Sequence, residues 1–234
     1  MKNYMGKKIT EKNPRYERKF IIPELECPKI KYLIQHHPAM FLKTFHKRHI
    51  NNIYLDSIVL GNYQDNLAGN SQRLKIRIRW YGKTFGLIEN PILEIKTKKE
   101  TLGQKKYFKL KSFTLDKDFS LKLLHKEVFE KSNLPKWIME KLKFSQNVLL
   151  TSYEREYFQS ADKKYRITID KNLEFFKVKN QNNNFIEKIS YNNQILELKY
   201  SEEDDGTASE ITKFFPFRIT AYSKYVYGVD VLDL

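Results

Sequence analysis

The chain has 234 residues, of which 41% are hydrophobic, and its 43 lysines and arginines exceed its 28 acidic residues to give a formal charge of +15. Its single cysteine, Cys27, excludes an internal disulfide and a cysteine-based zinc cluster. No apolar run approaches the roughly 20 residues of a membrane helix, and the charged N-terminus lacks the apolar stretch of a secretion signal. We therefore expect a cytoplasmic, soluble protein. The excess of basic residues indicates either a polyanionic partner (nucleic acid, an anionic membrane or phosphate-rich small molecules) or a lysine-rich solvated surface.

Alternating and helical patterns follow one another along the chain. We expect a flexible basic leader over residues 1–14 and one α+β domain over residues 15–234, dominated by antiparallel strands. In the first half the patterns predict a strand at 15–23, a helix at 27–40, a strand at 49–57, a helix at 59–69, and strands at 73–82, 91–100 and 103–110. In the second half they predict helices at 116–132 and 134–143, strands at 148–160, 164–170, 173–178 and 195–201, and a helix at 207–216, before a partly alternating aromatic tail at 222–232.

Residues 73–82 read RLKIRIRWYG, with a basic residue at every second position from Arg73 to Arg79. Alternate side chains of a strand point to opposite faces, so this strand has one apolar face and one face of cations. A solvated face explains any single such strand. However, charged residues alternate in the same way at Glu17 and Lys19, Glu94 and Lys96, Arg155, Arg166, and Glu197 and Lys199. The set favours a barrel whose charged faces line a lumen that phosphates neutralise.

Other chemistries lack their motifs. The stretch YGKTFG imitates the end of a phosphate-binding loop, but Arg77 occupies the place of its first glycine. No HExxH motif occurs, and His36–His37 is more typical of a helix end than of a metal-ligand pair. Ser57 and Ser223 lack the combination of a nearby His and a nearby Asp that could activate a serine, so nucleophilic serine catalysis is unsupported. The basic residues are not gathered on one helix, so a nucleic-acid reader is disfavoured.

A family resemblance rests on eight stretches in order: RYERKF, NIYLDS, LKIRIRWYG, LEIKTKKETLGQKKYF, SYEREYF, YRITIDKNL, ILELKY and SKYVYGVDVL. They resemble the VTC domain, the polyphosphate polymerase branch of the triphosphate tunnel metalloenzymes within the CYTH-like superfamily. The resemblance covers residues 15–232. It implies a closed antiparallel eight-stranded β-barrel, a tunnel open at both ends with helices packed outside.

The resemblance also implies roles for individual residues. Five basic residues would act on the transferring phosphoryl group: Arg77, Arg79, Lys96, Arg155 and Arg166. Further substrate contacts would come from Lys19, Lys199, Ser223, Lys224 and a lysine of GQKKYF, for which Lys105 and Lys106 are both candidates and Lys106 is assigned. A divalent metal, Mn²⁺ or Mg²⁺, would be held by Glu197 with Glu17.

The implied activity is transfer of the terminal phosphoryl group of a nucleoside triphosphate such as ATP onto a polyphosphate chain. Arg15 stands where the hydrolase-like branch has the first glutamate of ExExK, which favours the polymerase-like branch. Two alternatives stay open: a tripolyphosphate or nucleoside triphosphate hydrolase, and a non-catalytic polyphosphate-binding module. The regulatory domain and membrane helices of eukaryotic members are not in the sequence. We therefore expect a bacterial protein, which a separately encoded membrane partner could complete.

Overall fold

The computed structural model describes residues 15–99 and 102–234, with side chains for 16–97 and 104–234; the predicted leader, 1–14, lies outside the described residues. The strands are β1 Arg15–Ile22, β2 Leu42–Asp56, β3 Gln72–Tyr81, β4 Gly86–Ile88, β5 Ile92–Lys99, β6 Leu102–Lys109, β7 Phe113–Leu115, β8 Gln146–Gln159, β9 Arg166–Lys177, β10 Lys188–Tyr191, β11 Gln194–Ser201 and β12 Ile219–Thr220. The α-helices are α1 Cys27–Gln35, α2 Gly61–Leu67, α3 Leu121–Leu123, α4 Lys136–Lys143, α5 Asp205–Thr212 and α6 Lys224–Leu232.

Shorter helical segments complete the described chain. After α3 the helix continues as a π-helical segment, Leu124–Phe129, and a 3-10 turn, Glu130–Ser132. Two further 3-10 turns, Glu24–Glu26 and Glu202–Asp204, lead into α1 and α5. No helix in the described part of the chain has both the length and the apolar character needed to cross a membrane.

One antiparallel sheet of ten strands forms the body of the protein, in the order β12-β1-β11-β9-β8-β2-β3-β5-β6, with β10 paired to β9. The expected closed eight-stranded barrel is corrected in two respects. Short strands such as β10 and β12 add to the count, because they carry too few residues for an alternating pattern to reveal them. Among the described residues no hydrogen-bonded ladder joins β6, at one end of the sheet, to β12, at the other end. β12 pairs instead with the outer edge of β1.

The sheet is nevertheless curved into a channel, with its apolar side chains on the convex face as the alternation predicts. Ile76, Ile78 and Trp80 of β3 pack there against Phe129 and Ile138 of the helices that follow β7. A second cluster joins the convex faces of β1, β9 and β11 to α1 and α5. The charged side chains of the same strands are thereby left to the concave face.

Strand β9 is one strand where the sequence predicts two. The break in the pattern falls at Asn172, which has a positive φ of 52°. The register of β9 against β8 shifts at the same place, between Ser152 and Glu154. Such a bulge inserts an extra residue into a strand without ending it. It changes which face the following side chains occupy, and this interrupts the alternation in the sequence.

The tail forms α6, which lies on the concave face instead of outside the sheet. Tyr225 stacks on Tyr54 of β2 with ring centroids 5.1 Å apart. Gly228 faces Leu149 and Phe175 so closely that a Cβ there would overlap both side chains. The helix therefore occupies the end of the channel where β2 ends at Asp56. This corrects the expectation that all helices pack outside, whereas a tunnel open at both ends stays a prediction.

Candidate functional site

The concave face encloses a cavity of about 180 Å³. The basic side chains that line it come from six strands and α6: Lys19, Lys75, Arg77, Arg79, Lys96, Lys105, Arg155, Lys199 and Lys224. The carboxylates that line it are Glu17, Glu94 and Glu197. With nine basic side chains to three carboxylates among the described lining residues, the cavity has a strong excess of positive charge. Such a surface suits a small polyanion with many oxygen acceptors.

Glu94 holds Arg77 and Arg79 of β3 in place. It stands opposite Arg77 in the β3–β5 ladder, and its carboxylate lies 2.5 Å from Arg77 Nη2 and 3.2 Å from Arg79 Nη1. Arg79 Nε also donates to Asn52 Oδ1 at 2.8 Å. Burial opposes charge on the Arg77 guanidinium, but Glu94 outweighs it, so the pKa of Arg77 is raised. Both arginines are thus charged and oriented before a ligand arrives, which lowers the entropy cost of binding.

A buried carboxylate performs the same task for Arg155 and Lys224. Asp170, which is completely buried, accepts from Arg155 Nε at 2.5 Å and from Arg155 Nη2 at 2.6 Å. Lys224, at the start of α6, contacts the second oxygen of the same carboxylate. Burial tends to raise the pKa of Asp170, but Arg155 and Lys224 hold it below its ordinary value. The ion pair ties α6 to the wall of the cavity.

The β1–β11 ladder brings two carboxylates and two ammonium groups together, because Lys19 stands opposite Glu197 and Glu17 stands opposite Lys199. Lys19 Nζ lies 3.0 Å from Glu17, and Lys199 Nζ lies 2.7 Å from Glu197. Burial raises the pKa of Glu17, but the surrounding lysines, including Lys96 of β5, bring it down to about 2. Burial likewise opposes ionisation of Glu197, and Lys199, Arg155 and Lys224 lower its pKa well below the ordinary value. Both carboxylates are therefore ionised.

These two glutamates determine how well the site fits a metal ion. Carboxylate oxygens suit Mg²⁺ and Mn²⁺. Among the described residues, however, no group of three or more His, Cys, Asp or Glu side chains could hold a metal ion. Glu17 and Glu197 also each have an ammonium partner. The pair fits a hard cation whose remaining ligands are phosphate oxygens and water better than one held by the protein alone.

Several lining residues were missed from the sequence, among them Lys75 and Tyr222. Lys75 shares the RLKIRIR alternation, which could have identified it, and its Nζ donates to Ser223 Oγ at 3.2 Å. Burial and then the neighbouring cations Lys19, Arg77 and Lys96 lower the pKa of Lys75 to about 7. The hydroxyl of Tyr222 is buried and has no hydrogen-bond partner among the described residues. Because burial raises its pKa, this hydroxyl stays neutral and can donate to an anion.

The structure brings most of the predicted site residues together around the cavity: Glu17, Lys19, Arg77, Arg79, Lys96, Arg155, Glu197, Lys199, Ser223 and Lys224. Arg166 is not among them. It is exposed at the beginning of β9, opposite Lys199, because the strand begins at the rim of the channel.

Lys106 also lies elsewhere. It is exposed, with its ammonium 4.7 Å from the ring centroid of Trp137 on the convex side. Lys105, its neighbour in β6, lines the cavity instead. Of the two candidates in GQKKYF, Lys105 and not the assigned Lys106 therefore faces the cavity, because neighbouring residues of a strand point to opposite faces.

Comparison with known structures reveals the same fold in distant proteins. A candidate adenylate cyclase from Bacillus halodurans has a TM-score of 0.51 at 12% identity, over 92% of this chain and 97% of that chain. A candidate adenylate cyclase from Vibrio parahaemolyticus has a TM-score of 0.50 at 8% identity, over 93% of this chain and 98% of that chain. At these identities the likeness concerns the fold alone.

Sequence comparison gives the family. No curated protein matches the chain. Residues 14–233, however, match the VTC domain, and this range contains the cavity and every strand that lines it. The match confirms the resemblance seen in the sequence stretches, from the first strand to the last helix. The chain therefore belongs to the VTC domain family.

Proposed function

We propose that this protein transfers the terminal phosphoryl group of a nucleoside triphosphate onto a polyphosphate chain. The observation that carries the proposal is the convergence of nine basic side chains, several already oriented by buried carboxylates, on one cavity of about 180 Å³. Membership of the VTC domain family supports it. The narrow cavity suits a chain of phosphates and has no room for a nucleic-acid duplex, whose wide grooves are read by helices or strands.

The reaction asks the protein mainly for alignment and charge neutralisation. A terminal oxygen of the acceptor chain attacks the γ-phosphorus and forms a new P–O bond. The bond from the γ-phosphorus to the bridging oxygen breaks, and its electron pair leaves on the β-phosphate of the nucleoside diphosphate. Arg77, Arg79 and Arg155 would bind the oxygens of the transferring group, where charge is spread in the transition state. No side-chain nucleophile takes part.

The remaining cations would bind the phosphates on either side of the transferring group. Lys96, Lys105 and Lys19 belong to different strands and could each bind a different phosphate. The neutral Tyr222 hydroxyl and Ser223 offer further polar contacts. Arg166, at the rim, would meet polyphosphate only outside the cavity.

Glu197 and Glu17 would hold a divalent metal, Mn²⁺ or Mg²⁺, jointly with substrate oxygens. Such an ion supplies neutralisation of phosphate charge. For the protein, the consequence is that Lys199 and Lys19 must exchange their carboxylate partners for phosphate oxygens when substrate and metal bind together. Cytoplasmic location, bacterial origin and a separate membrane partner stay predictions from the sequence.

The test is incubation with ATP and Mn²⁺, followed by analysis of long polyphosphate on a gel and of free phosphate in solution. Polymer formation is the expected result. Free phosphate without polymer would assign the hydrolase alternative, and tripolyphosphate binding without turnover would assign the binding module. Arg77→Ala should weaken binding sharply, whereas Glu197→Gln should lose metal-dependent turnover and keep much of the binding. Lys106→Ala, on the convex face, is the matched control.

A further inference from the structure

An aromatic cluster surrounds Arg48 at the rim opposite α6. The Arg48 guanidinium carbon lies 4.9 Å from the ring centroid of Phe45, 5.6 Å from that of Tyr81 and 5.5 Å from that of Tyr157. Phe45 and Tyr157 themselves meet edge to face at 5.7 Å. We call these four residues the rim cluster. They come from β2, β3 and β8, three strands that are neighbours in the sheet.

The rim cluster continues the wall of the cavity. Arg48 stands opposite Arg155 in the β2–β8 ladder. Tyr157 follows Arg155 by two residues on β8, and Tyr81 follows Arg79 by two residues on β3, so each tyrosine shares a face with a cavity arginine. Two residues along a strand span about 6.7 Å. The cluster therefore lies just outside the phosphate-binding arginines, on the same concave surface.

An irregularity in β2 brings Phe45 into this cluster. In a regular strand, residues three apart point to opposite faces. The register between β2 and β8 shifts between Phe45 and Arg48, and both side chains reach the same side. Exposure of large aromatic rings to water is unfavourable, yet Phe45 is 54% exposed and Tyr81 is 49% exposed.

Arg48 is the second unusual feature of the cluster. Among the described residues no carboxylate lies within ion-pair distance of it, and its neighbours are three aromatic rings. The cavity arginines Arg77 and Arg155, in contrast, each have a carboxylate partner. A flat guanidinium beside exposed rings is the kind of surface on which nucleobases stack.

We propose that the rim cluster of Phe45, Arg48, Tyr81 and Tyr157 binds the nucleoside end of the nucleoside triphosphate, so that its phosphates run inward past Arg79 and Arg155 toward Arg77. This inference rests on the proposed function and adds the orientation of the substrate. The rim cluster would also distinguish a nucleotide from an inorganic phosphate chain, because only the nucleotide has a base that can stack on the rings. Stacking uses the face that every base has, so adenine and guanine nucleotides should bind similarly.

The test compares the affinities of ATP and inorganic tripolyphosphate, measured by calorimetry with the full chain. Loss of a stacked ring is worth about 1–3 kcal/mol per base, so Tyr157→Ala and Tyr81→Ala should each weaken ATP binding by about tenfold or more. Both variants should leave tripolyphosphate binding within about twofold, since neither removes a charge. Tyr157→Phe keeps the ring and should retain ATP affinity. Tyr32→Ala, an exposed tyrosine of α1, is the control.

Each outcome has a distinct meaning. Selective loss of ATP affinity supports the assignment. Unchanged ATP affinity, or equal loss for both ligands, would overturn it while leaving the proposed function intact. If the unaltered protein binds neither ligand, the proposed function fails together with this inference. Tyr81 is half exposed at the end of β3, so Tyr81→Ala should fold normally. This variant therefore tests the assignment even if Tyr157→Ala misfolds.

Discussion

Arg155 and Asp170 form a two-pronged ion pair across the β8–β9 ladder, where they stand directly opposite each other. Asp170 is completely buried. Its carboxylate also contacts Lys224 of α6. One acidic residue therefore orients two cations of the cavity that are 69 residues apart in the sequence. It does so without itself lining the cavity.

Asp170→Asn should destabilise the protein. It leaves the Arg155 and Lys224 charges buried without their main partner, a change that typically costs about 3–5 kcal/mol of unfolding free energy. Urea denaturation measures the loss. Asp118→Asn, at an exposed aspartate, should leave the midpoint unchanged. Equal midpoints for both variants and the unaltered protein would show that the ion pair contributes nothing to stability.

The sequence predicted the charged concave face because alternation fixes which side chains share a face. The individual roles of Arg77, Arg79 and Lys96 came instead from the resemblance to the VTC domain. Local patterns could not show that Asp170 and Lys224 meet, since this contact depends on how the tail folds back. The tail also alternates partly, yet it becomes α6, because Gly228 lets the helix pack closely against β8 and β9. Tertiary packing overrode the local pattern there.

Lys105 and Lys106 offer a test of strand register. Lys105→Ala should weaken tripolyphosphate binding by about tenfold, since a hydrogen bond to a charged group is worth roughly 1.5–3 kcal/mol. Lys106→Ala should leave binding unchanged, because its ammonium lies over Trp137. Calorimetry of the two variants provides the comparison. A larger effect at Lys106 would mean that β6 presents its other face to the ligand.

Lys75 should make anion binding depend on pH. Its pKa falls from an ordinary 10.5 to about 7, so the free protein loses this charge as pH rises through about 7. A bound triphosphate favours the charged form of Lys75. At about pH 8, binding should therefore be accompanied by the uptake of nearly one proton per chain. Calorimetry in buffers with different ionisation enthalpies measures the uptake. Lys75→Met should show less uptake; identical uptake would exclude Lys75 as the proton acceptor.

The same pKa shift predicts how stability depends on pH. Between about pH 7 and 10.5, the unfolded chain binds a proton at Lys75 that the folded protein does not. The free energy of unfolding should therefore gain a positive slope with pH in this window, relative to Lys75→Met. Below about pH 7 both states are protonated, so the cost of burying the charge is present in full. Urea titrations of both proteins across the window test the sign.

Gly228→Ala should displace α6. The new Cβ would overlap Leu149 and Phe175, and overpacking of this kind typically costs about 1–3 kcal/mol. Tripolyphosphate binding should weaken as well, because Lys224 moves with the helix. Gly206→Ala in α5 meets no atom within 4 Å and should be neutral or slightly stabilising. If Gly228→Ala behaved like Gly206→Ala, the close contact between α6 and the sheet would be wrong.

We propose that cations from separate strands form one site for a phosphate chain. Calorimetric titration of inorganic tripolyphosphate tests this proposal most directly, with the unaltered protein, Arg77→Ala of β3, Arg155→Ala of β8 and the double variant. We expect one tripolyphosphate per chain, an affinity that falls as salt rises, a loss of about tenfold or more in each single variant, and non-additive losses in the double variant. Failure of the unaltered protein to bind, or single variants that bind as tightly as it does, would contradict the account.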